Sequence, residues 1–284
     1  MMYLISGSQG FLARNLIRNY KINNKLLVIS RKKKYKNLIK LINLDLSKNK
    51  ISKSVKINKV DYVIHVASVK MNSKINPLVL TRKNFNIISN LIKLLKKVKF
   101  KKIINISSTS LYYDSNGNFN ENSSVNFLNN SDYPYAFSKY FAEKKLNDTF
   151  KKKKILHLRV AQIFGNNNDN SIVSNFKKEL RSKNVINIYG NGKRVINLIH
   201  INKLIRYIDI SIKKKLFGVY NIADYSLTLD KIAKIVKFKY GNESTKICFL
   251  KKIKHNPKFF VNSNKFFNKI KITKPKYREI LNEI

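Results

Sequence analysis

Short apolar runs along the first 160 residues alternate with longer stretches in which apolar side chains return every three or four positions. The runs, such as Met2-Tyr3-Leu4-Ile5 and Lys25-Leu26-Leu27-Val28-Ile29, read as short strands, expected near 2 to 6, 26 to 30, 41 to 44, 61 to 66, 101 to 107 and 154 to 160. Helical patterns between them include Phe85 to Val98 and Tyr135 to Phe150. Strand–helix alternation implies an α/β protein with a parallel sheet. Ligands of such sheets bind beyond the carboxyl ends of the strands, where Gly7, Arg31, Ala67 and Ser108 fall. Further along, helices are expected at Lys203 to Ile212 and Thr228 to Phe238, and Leu281 ends a short last one. Asp114 to Asp132 and Asn166 to Asn170 read as polar loops.

Charge changes this picture less than its size suggests. Of 284 residues, 59 are Lys or Arg and 15 Asp or Glu, a formal net charge of +44. Such a balance ordinarily points to nucleic acid or an anionic surface. Here the lysines run from end to end beside abundant asparagine and isoleucine, all with AT-rich codons, which reads as a composition-wide bias. Runs such as Arg31 to Lys34 and Lys151 to Lys154 are then solvated helix ends and loops. The single cysteine, Cys248, excludes an intramolecular disulfide, and the four histidines lack metal-ligand spacing, so no metal is expected. The opening Met1 to Ile5 run is too short and too soon broken by Gly7 for a signal peptide or a membrane span, which predicts a cytoplasmic protein without membrane insertion.

Candidate chemistry concentrates in Tyr135-Ala136-Phe137-Ser138-Lys139 and the strand-end run Ile106-Ser107-Ser108-Thr109-Ser110. Residues four apart on a helix share a face, so the Tyr135 hydroxyl and the Lys139 ammonium can reach one cleft. A nearby cation stabilises a phenolate, and Tyr135 is expected to titrate closer to neutrality than a free phenol. The Ser108 hydroxyl can bridge the tyrosine and a substrate oxygen. At the amino end, Gly7-Ser8-Gln9-Gly10-Phe11-Leu12-Ala13 breaks a strand into a helix. Glycines at 7 and 10 permit a tight turn and close approach of a pyrophosphate to the following helix N-terminus.

With these segments, the chain resembles the extended short-chain dehydrogenase/reductase superfamily, specifically its NAD-dependent epimerase/dehydratase family acting on nucleotide sugars. The resemblance also rests on Asn43-Leu44-Asp45-Leu46, Asp61-Tyr62-Val63-Ile64-His65-Val66-Ala67-Ser68-Val69-Lys70, and Asn84 six residues before Asn90-Leu91-Ile92. Later pieces are Ser107-Ser108-Thr109-Ser110-Leu111-Tyr112, Leu158-Arg159 through Phe164-Gly165, Tyr189-Gly190-Asn191-Gly192 with Asn197 to Asn202, and Gly218 to Ala223. It implies a Rossmann-type doubly wound sheet at 1–160 and a smaller C-terminal substrate-binding domain at 161–284, partly interleaved with the first. It further implies catalysis by Ser108, Tyr135 and Lys139, and NAD or NADP held by Gly7, Gly10, Phe11, Leu12, Arg31, Asp45, Leu46, Val66, Ala67, Lys70, Asn84, Tyr135 and Lys139. Ser108, Gln162 and Arg194 would meet a nucleotide-sugar substrate, in a homodimer serving the synthesis of surface polysaccharide precursors.

Departures from the family pattern narrow the reaction. The 4,6-dehydratase branch carries an Asp-Glu pair after the catalytic hydroxyl residue, whereas Thr109-Ser110 stands here, leaving water elimination without obvious proton carriers. Epimerisation or reduction of a 4-keto sugar remains. Ser30-Arg31-Lys32 replaces the acidic residue that reads the adenine ribose, which favours a 2′-phosphate on Arg31. Gln162 replaces the family's asparagine, and Ile196 stands where its diphosphate-clamping arginine would be, with Arg194 two residues away. His65, His157 and His200 read as structural. Two other readings stay open: a dinucleotide-binding regulator without turnover, and a nucleic-acid binder. The intact Ser108, Tyr135 and Lys139 set argues against the first, and the absence of tryptophan and the even spread of charge against the second.

Overall fold

A computed structural model describes residues 1–31, 39–49, 57–71, 75–112, 116–125, 127, 132–168, 170–251 and 257–284. The lysines at 32–34 therefore lie outside the described residues. In chain order the elements are β1 (Met2–Ser6), α1 (Phe11–Tyr20), β2 (Lys25–Ser30), β3 (Ile39–Asn43), β4 (Tyr62–His65), α2 (Pro77–Leu95), β5 (Lys102–Ser108), β6 (Gly117–Phe119), α3 (Tyr133–Thr149) and β7 (Ile155–Val160). There follow β8 (Gln162–Phe164), α4 (Ile172–Lys183), β9 (Val185–Tyr189), β10 (Val195–His200), α5 (Ile201–Lys213), β11 (Gly218–Ile222), β12 (Tyr225–Thr228), α6 (Leu229–Tyr240), β13 (Lys246–Leu250), β14 (Phe259–Val261), α7 (Asn264–Ile270) and α8 (Ile280–Glu283).

The chain divides into two compact units, the first made of Met1–Leu111, Asp132–Arg159 and Lys215–Val219, the second of Tyr112–Ser131, Val160–Lys214 and Tyr220–Ile284. A seven-stranded sheet runs in the order β11-β7-β5-β4-β1-β2-β3, with parallel pairing from β5 through β3, so the α/β, Rossmann-type fold class expected from the sequence is the one observed. Helices cover its strands, which explains their nearly unbroken apolar character: Leu4, Ile5, Val63, Ile64, Ile103 and Ile104 are all fully buried. Helix α2 supplies Ile88, Leu91 and Leu95 to one apolar cluster with Leu4 of β1, Val63 of β4 and Ile103 of β5. Strand order reverses between β1 and β4, and the carboxyl ends of these two strands form the switch point where α/β proteins bind ligands.

Helix α2 begins eight residues before the expected Phe85, because its start is set by capping and not by apolar spacing. The Asn76 side chain accepts from the Leu78 N–H at 2.8 Å, and Pro77 occupies the first turn. The polar stretch 114–132, expected as loop, contains β6, whose register with β14 puts Gly117 opposite Phe259. In the second unit, β10 pairs antiparallel with β12 and parallel with β8, while β9 pairs with β13. Phe164, Phe176, Ile186, Leu198, Ile232 and Val236 form its core. No helix among the described residues is long and apolar enough to cross a membrane.

Candidate active site

The first unit gathers the sequence-predicted residues at the carboxyl ends of its strands. Gly7 has φ +79°, and a Cβ there would stand 2.6 Å from both the Cα and the N of Ala67. Glycine is thus required by the close approach of the β1–α1 turn to the segment after β4, as well as by its left-handed backbone. The same contact is tightened by Ser6, whose Oγ accepts the Val66 and Ala67 N–H groups at 3.2 and 3.3 Å and lies 2.7 Å from His65 Nδ1. His65 is buried, and desolvation, with the Lys139 charge adding to it, lowers its pKa to about 3. Gly10 precedes α1 and offers no side-chain cap, so Phe11 and Leu12 open the helix with amides that no cap side chain claims. Within this turn the Nε2 of Gln9 is buried without a hydrogen-bond partner among the described residues.

Several residues assigned to the cofactor are held by the protein itself. Asn84, on α2, is buried; its Oδ1 accepts the Val69 N–H at 2.7 Å and its Nδ2 donates to the Val69 carbonyl at 3.0 Å. Both bonds clamp the 66–70 segment against α2. Asp45 Oδ1 accepts both the N–H and the hydroxyl of Ser47, at 2.9 and 2.7 Å, in a turn that also draws in the Leu46 carbonyl through Asn90. Burial pushes the Asp45 carboxyl up, but the Ser47 bonds and the charge of Arg31 outweigh it and hold it below its ordinary value. Arg31 is exposed at the end of β2, on the Asp45 side of the switch point. Lys70 is exposed as a residue, yet desolvation of its ammonium lowers its pKa against the pull of Asp132.

Helix α3 carries the acid–base groups on a stripe of spacing four. Lys139 is 5% exposed and donates from Nζ to the Ile106 carbonyl of β5 at 2.8 Å, with the ammonium 5.6 Å from the centroid of the Tyr135 ring. Tyr135 hydrogen-bonds with the hydroxyls of Ser68 and Ser108. Ser108 in turn accepts from the N–H and the hydroxyl of Ser110, at 3.1 and 2.8 Å. Electrostatics correct the expected near-neutral phenol. Burial, followed by the Asp132 carboxylate, pushes Tyr135 up to about 12, overriding the two serine bonds. Burial and the Lys70 charge lower Lys139 to about 7, opposed by Glu143. Tyr135 is therefore protonated at neutral pH, and Lys139 is the group whose charge changes there.

Ser68, Gln9 and Glu143 adjoin the candidate site and were missed in reading the sequence. Ser68 lies inside the quoted Asp61 to Lys70 motif, and only the three-dimensional bond to Tyr135 distinguishes it from its neighbours. In the second unit, the exposed Gln162 accepts the Ile172 N–H through Oε1 at 3.1 Å, so it supports the start of α4. Arg194 directly precedes β10, half-buried, its guanidinium pulled below the ordinary arginine value by burial.

A parallel sheet with a glycine turn at its switch point, and a Ser/Tyr/Lys cluster beyond the next strand, defines a Rossmann-type fold with a candidate acid–base site. The chain belongs to the NAD dependent epimerase/dehydratase family, whose model matches residues 3–223. It is similar to a dTDP-D-glucose 4,6-dehydratase of Dictyostelium discoideum, 28% identical over 265 residues, which take in 82% of this chain and 61% of that protein. The chain thus spans about three-fifths of the length of that curated relative. Among solved structures, the UDP-N-acetylglucosamine 4-epimerase of Methanobrevibacter ruminantium M1 superposes with a TM-score of 0.79 at 20% identity, covering 99% of this chain and 94% of that one. The UDP-glucuronic acid 4-epimerase of Bacillus cereus, solved with UDP-glucuronic acid and NAD, gives 0.79 at 20% identity over 100% and 97% of the two chains.

Proposed function

We propose that the protein is an NAD(P)-dependent nucleotide-sugar epimerase or 4-keto-sugar reductase. The carrying observation is the Tyr135 phenol, bonded to Ser68 and Ser108 and flanked by the Lys139 ammonium, beyond the same sheet end as the Gly7 turn. The residues present fit a dinucleotide: Gly7 keeps the turn close to Ala67, a Cβ on Gly10 would touch only the Gly7 carbonyl at 3.4 Å, and the amides opening α1 and Gln9 Nε2 are donors suited to a pyrophosphate. Gly7, Gly10, Phe11 and Leu12 would hold that group, Arg31 its ribose end, and Lys139 its nicotinamide ribose. When bound, the dinucleotide supplies hydride transfer to and from the sugar carbon.

Tyr135, protonated at neutral pH, gives its proton to a sugar carbonyl oxygen as that carbon is reduced, and takes one from a sugar hydroxyl in the reverse sense. Ser108 holds the oxygen that gains or loses charge, with Ser110 steadying the Ser108 hydroxyl. Lys139 places a positive charge beside the phenol and lowers the cost of its ionised form. The second unit would bind the nucleotide, with Arg194 near its diphosphate. A homodimer, a cytoplasmic location and a place in surface polysaccharide precursor synthesis go with the same reading and rest on the family resemblance.

Dehydration, the activity in the name of the Dictyostelium relative, is the second reading. Against it, Thr109 and Ser110 offer hydroxyls where elimination needs carboxylates, and the Ser110 hydroxyl is already spent on Ser108. The test is to identify by mass spectrometry the nucleotides carried through purification, then to supply UDP- and dTDP-hexoses and follow the products by NMR. An epimerised or reduced sugar supports the proposal. A 4-keto-6-deoxy product overturns it in favour of dehydration.

A further inference from the structure

Tyr135, Lys139 and Glu143 stand four residues apart along one stripe of α3, beside Ala142 and Leu146, which the helix buries in the apolar core. Glu143 is 3% exposed and the Arg159 it meets is 6% exposed, a degree of burial that charged side chains show only when paired. Its Oε1 accepts from the Ser107 hydroxyl at 2.5 Å and from Arg159 Nε at 3.0 Å, and its Oε2 from Arg159 Nη2 at 2.8 Å. Ser107 directly precedes Ser108 on β5, and Arg159 lies on β7, so one carboxylate ties the helix to two strands of the sheet. Burial pushes the carboxyl up, but the bonds and charge of Arg159, with the Ser107 bond, hold it below the usual carboxylate value. His157, its Nδ1 bonded by Asn105 and its Nε2 by Asn147, stays neutral behind the pair.

We propose that Glu143 is a positioning residue of the acid–base site, seating α3 on β5 and β7 and placing a carboxylate one helical turn from the Lys139 ammonium. This rests on the function proposed above for Tyr135 and Lys139. The groups facing Lys139 are His65 on β4, Lys70 beyond β4, the Ile106 carbonyl on β5, and Tyr135 and Glu143 on its own helix, with Asp132 acting on Lys70 and Tyr135. His65 is neutral and Lys70 repels, so among the described residues Glu143 is the one carboxylate acting directly on Lys139. Asp132 acts on it only through its neighbours.

The test is the pH profile of turnover. Activity that needs a protonated Lys139 falls as pH rises through the Lys139 pKa. Removing the Glu143 charge lowers that pKa, so in Glu143→Gln the alkaline limb is expected to move down by about one pH unit, roughly tenfold lower turnover on that limb. Glu143→Asp, which keeps the charge and strains the geometry, is expected to leave the limb in place while kcat drops. A merely structural Glu143 would lower kcat in both and move the limb in neither, and that result overturns the proposal. Should Glu143→Gln not fold, Ser107→Ala decides: it removes one bond and no charge, several-fold lower turnover with an unmoved limb is expected, and wild-type turnover overturns the seating role. If the wild type turns over none of the sugars supplied, the proposed function has failed, and Glu143 is judged on Lys139 directly. The midpoint of Lys139 labelling by acetic anhydride, read by peptide mass spectrometry across pH, should still fall in Glu143→Gln, and an unmoved midpoint overturns the proposal.

Discussion

Replacing Gly7 by alanine probes the turn on which the dinucleotide reading depends. The new Cβ would lie 2.6 Å from Ala67 N and Cα and 3.1 Å from the Val66 carbonyl carbon, against ordinary contacts of about 3.5 to 4 Å. All three are backbone atoms, and the Val66 and Ala67 amides are fixed on Ser6 Oγ while Asn84 clamps Val69, so the segment cannot retreat cheaply. A non-glycine residue at φ +79° adds about 1 to 2 kcal/mol, and forced overpacking typically about 1 to 3 kcal/mol more. Gly7→Ala should therefore lose about 2 to 5 kcal/mol, unless the turn moves away from Ala67, in which case dinucleotide affinity falls instead. Urea unfolding followed by circular dichroism, with titration of NAD(H) by fluorescence, reads both outcomes. A variant as stable as the wild type and equal in dinucleotide affinity would refute the reasoning.

Two further outcomes are expected. Arg31→Ala should weaken NADP(H) by about 1.5 to 3 kcal/mol and leave NAD(H) nearly unchanged, if Arg31 meets a 2′-phosphate; calorimetry with both dinucleotides checks this, and equal losses would reduce Arg31 to general charge. Stability should fall on acidification, because burial depresses the folded pKa of His65 to about 3 and of His157 to about 4. Their contribution is complete above the unfolded value near 6.5 and is lost as pH falls, with a slope of up to about 2.7 kcal/mol per pH unit while both titrate, between roughly 6.5 and 4. Urea midpoints that do not change between pH 7 and 5 would contradict it.

The sheet was legible because its strands are buried on both faces, which writes them as apolar runs, and because glycine at position 7 answers a backbone need that no other residue meets. The proximity of Tyr135 and Lys139 was legible from helical spacing alone. Their ionisation was not. Spacing shows that two groups can meet, whereas desolvation depends on what encloses them, and here it drives Tyr135 up and Lys139 down. Motif resemblance likewise marked Asn84 and Asp45 without distinguishing a contact to ligand from a bond to the protein's own backbone, which is where both are engaged. Glu143 was hidden for a related reason: on an apolarity pattern a glutamate in a lysine-rich helix reads as solvated, and only the strand that carries Arg159 reveals its partner.

Tyr135→Phe is the most direct measurement of the central claim, that this phenol moves the proton when a nucleotide sugar exchanges hydride. The ring still packs and the bonds to Ser68 and Ser108 are lost with the hydroxyl. Turnover should fall by about 10²- to 10⁴-fold while dinucleotide affinity stays within about twofold of the wild type. A variant that keeps more than about a tenth of the wild-type rate would contradict the account.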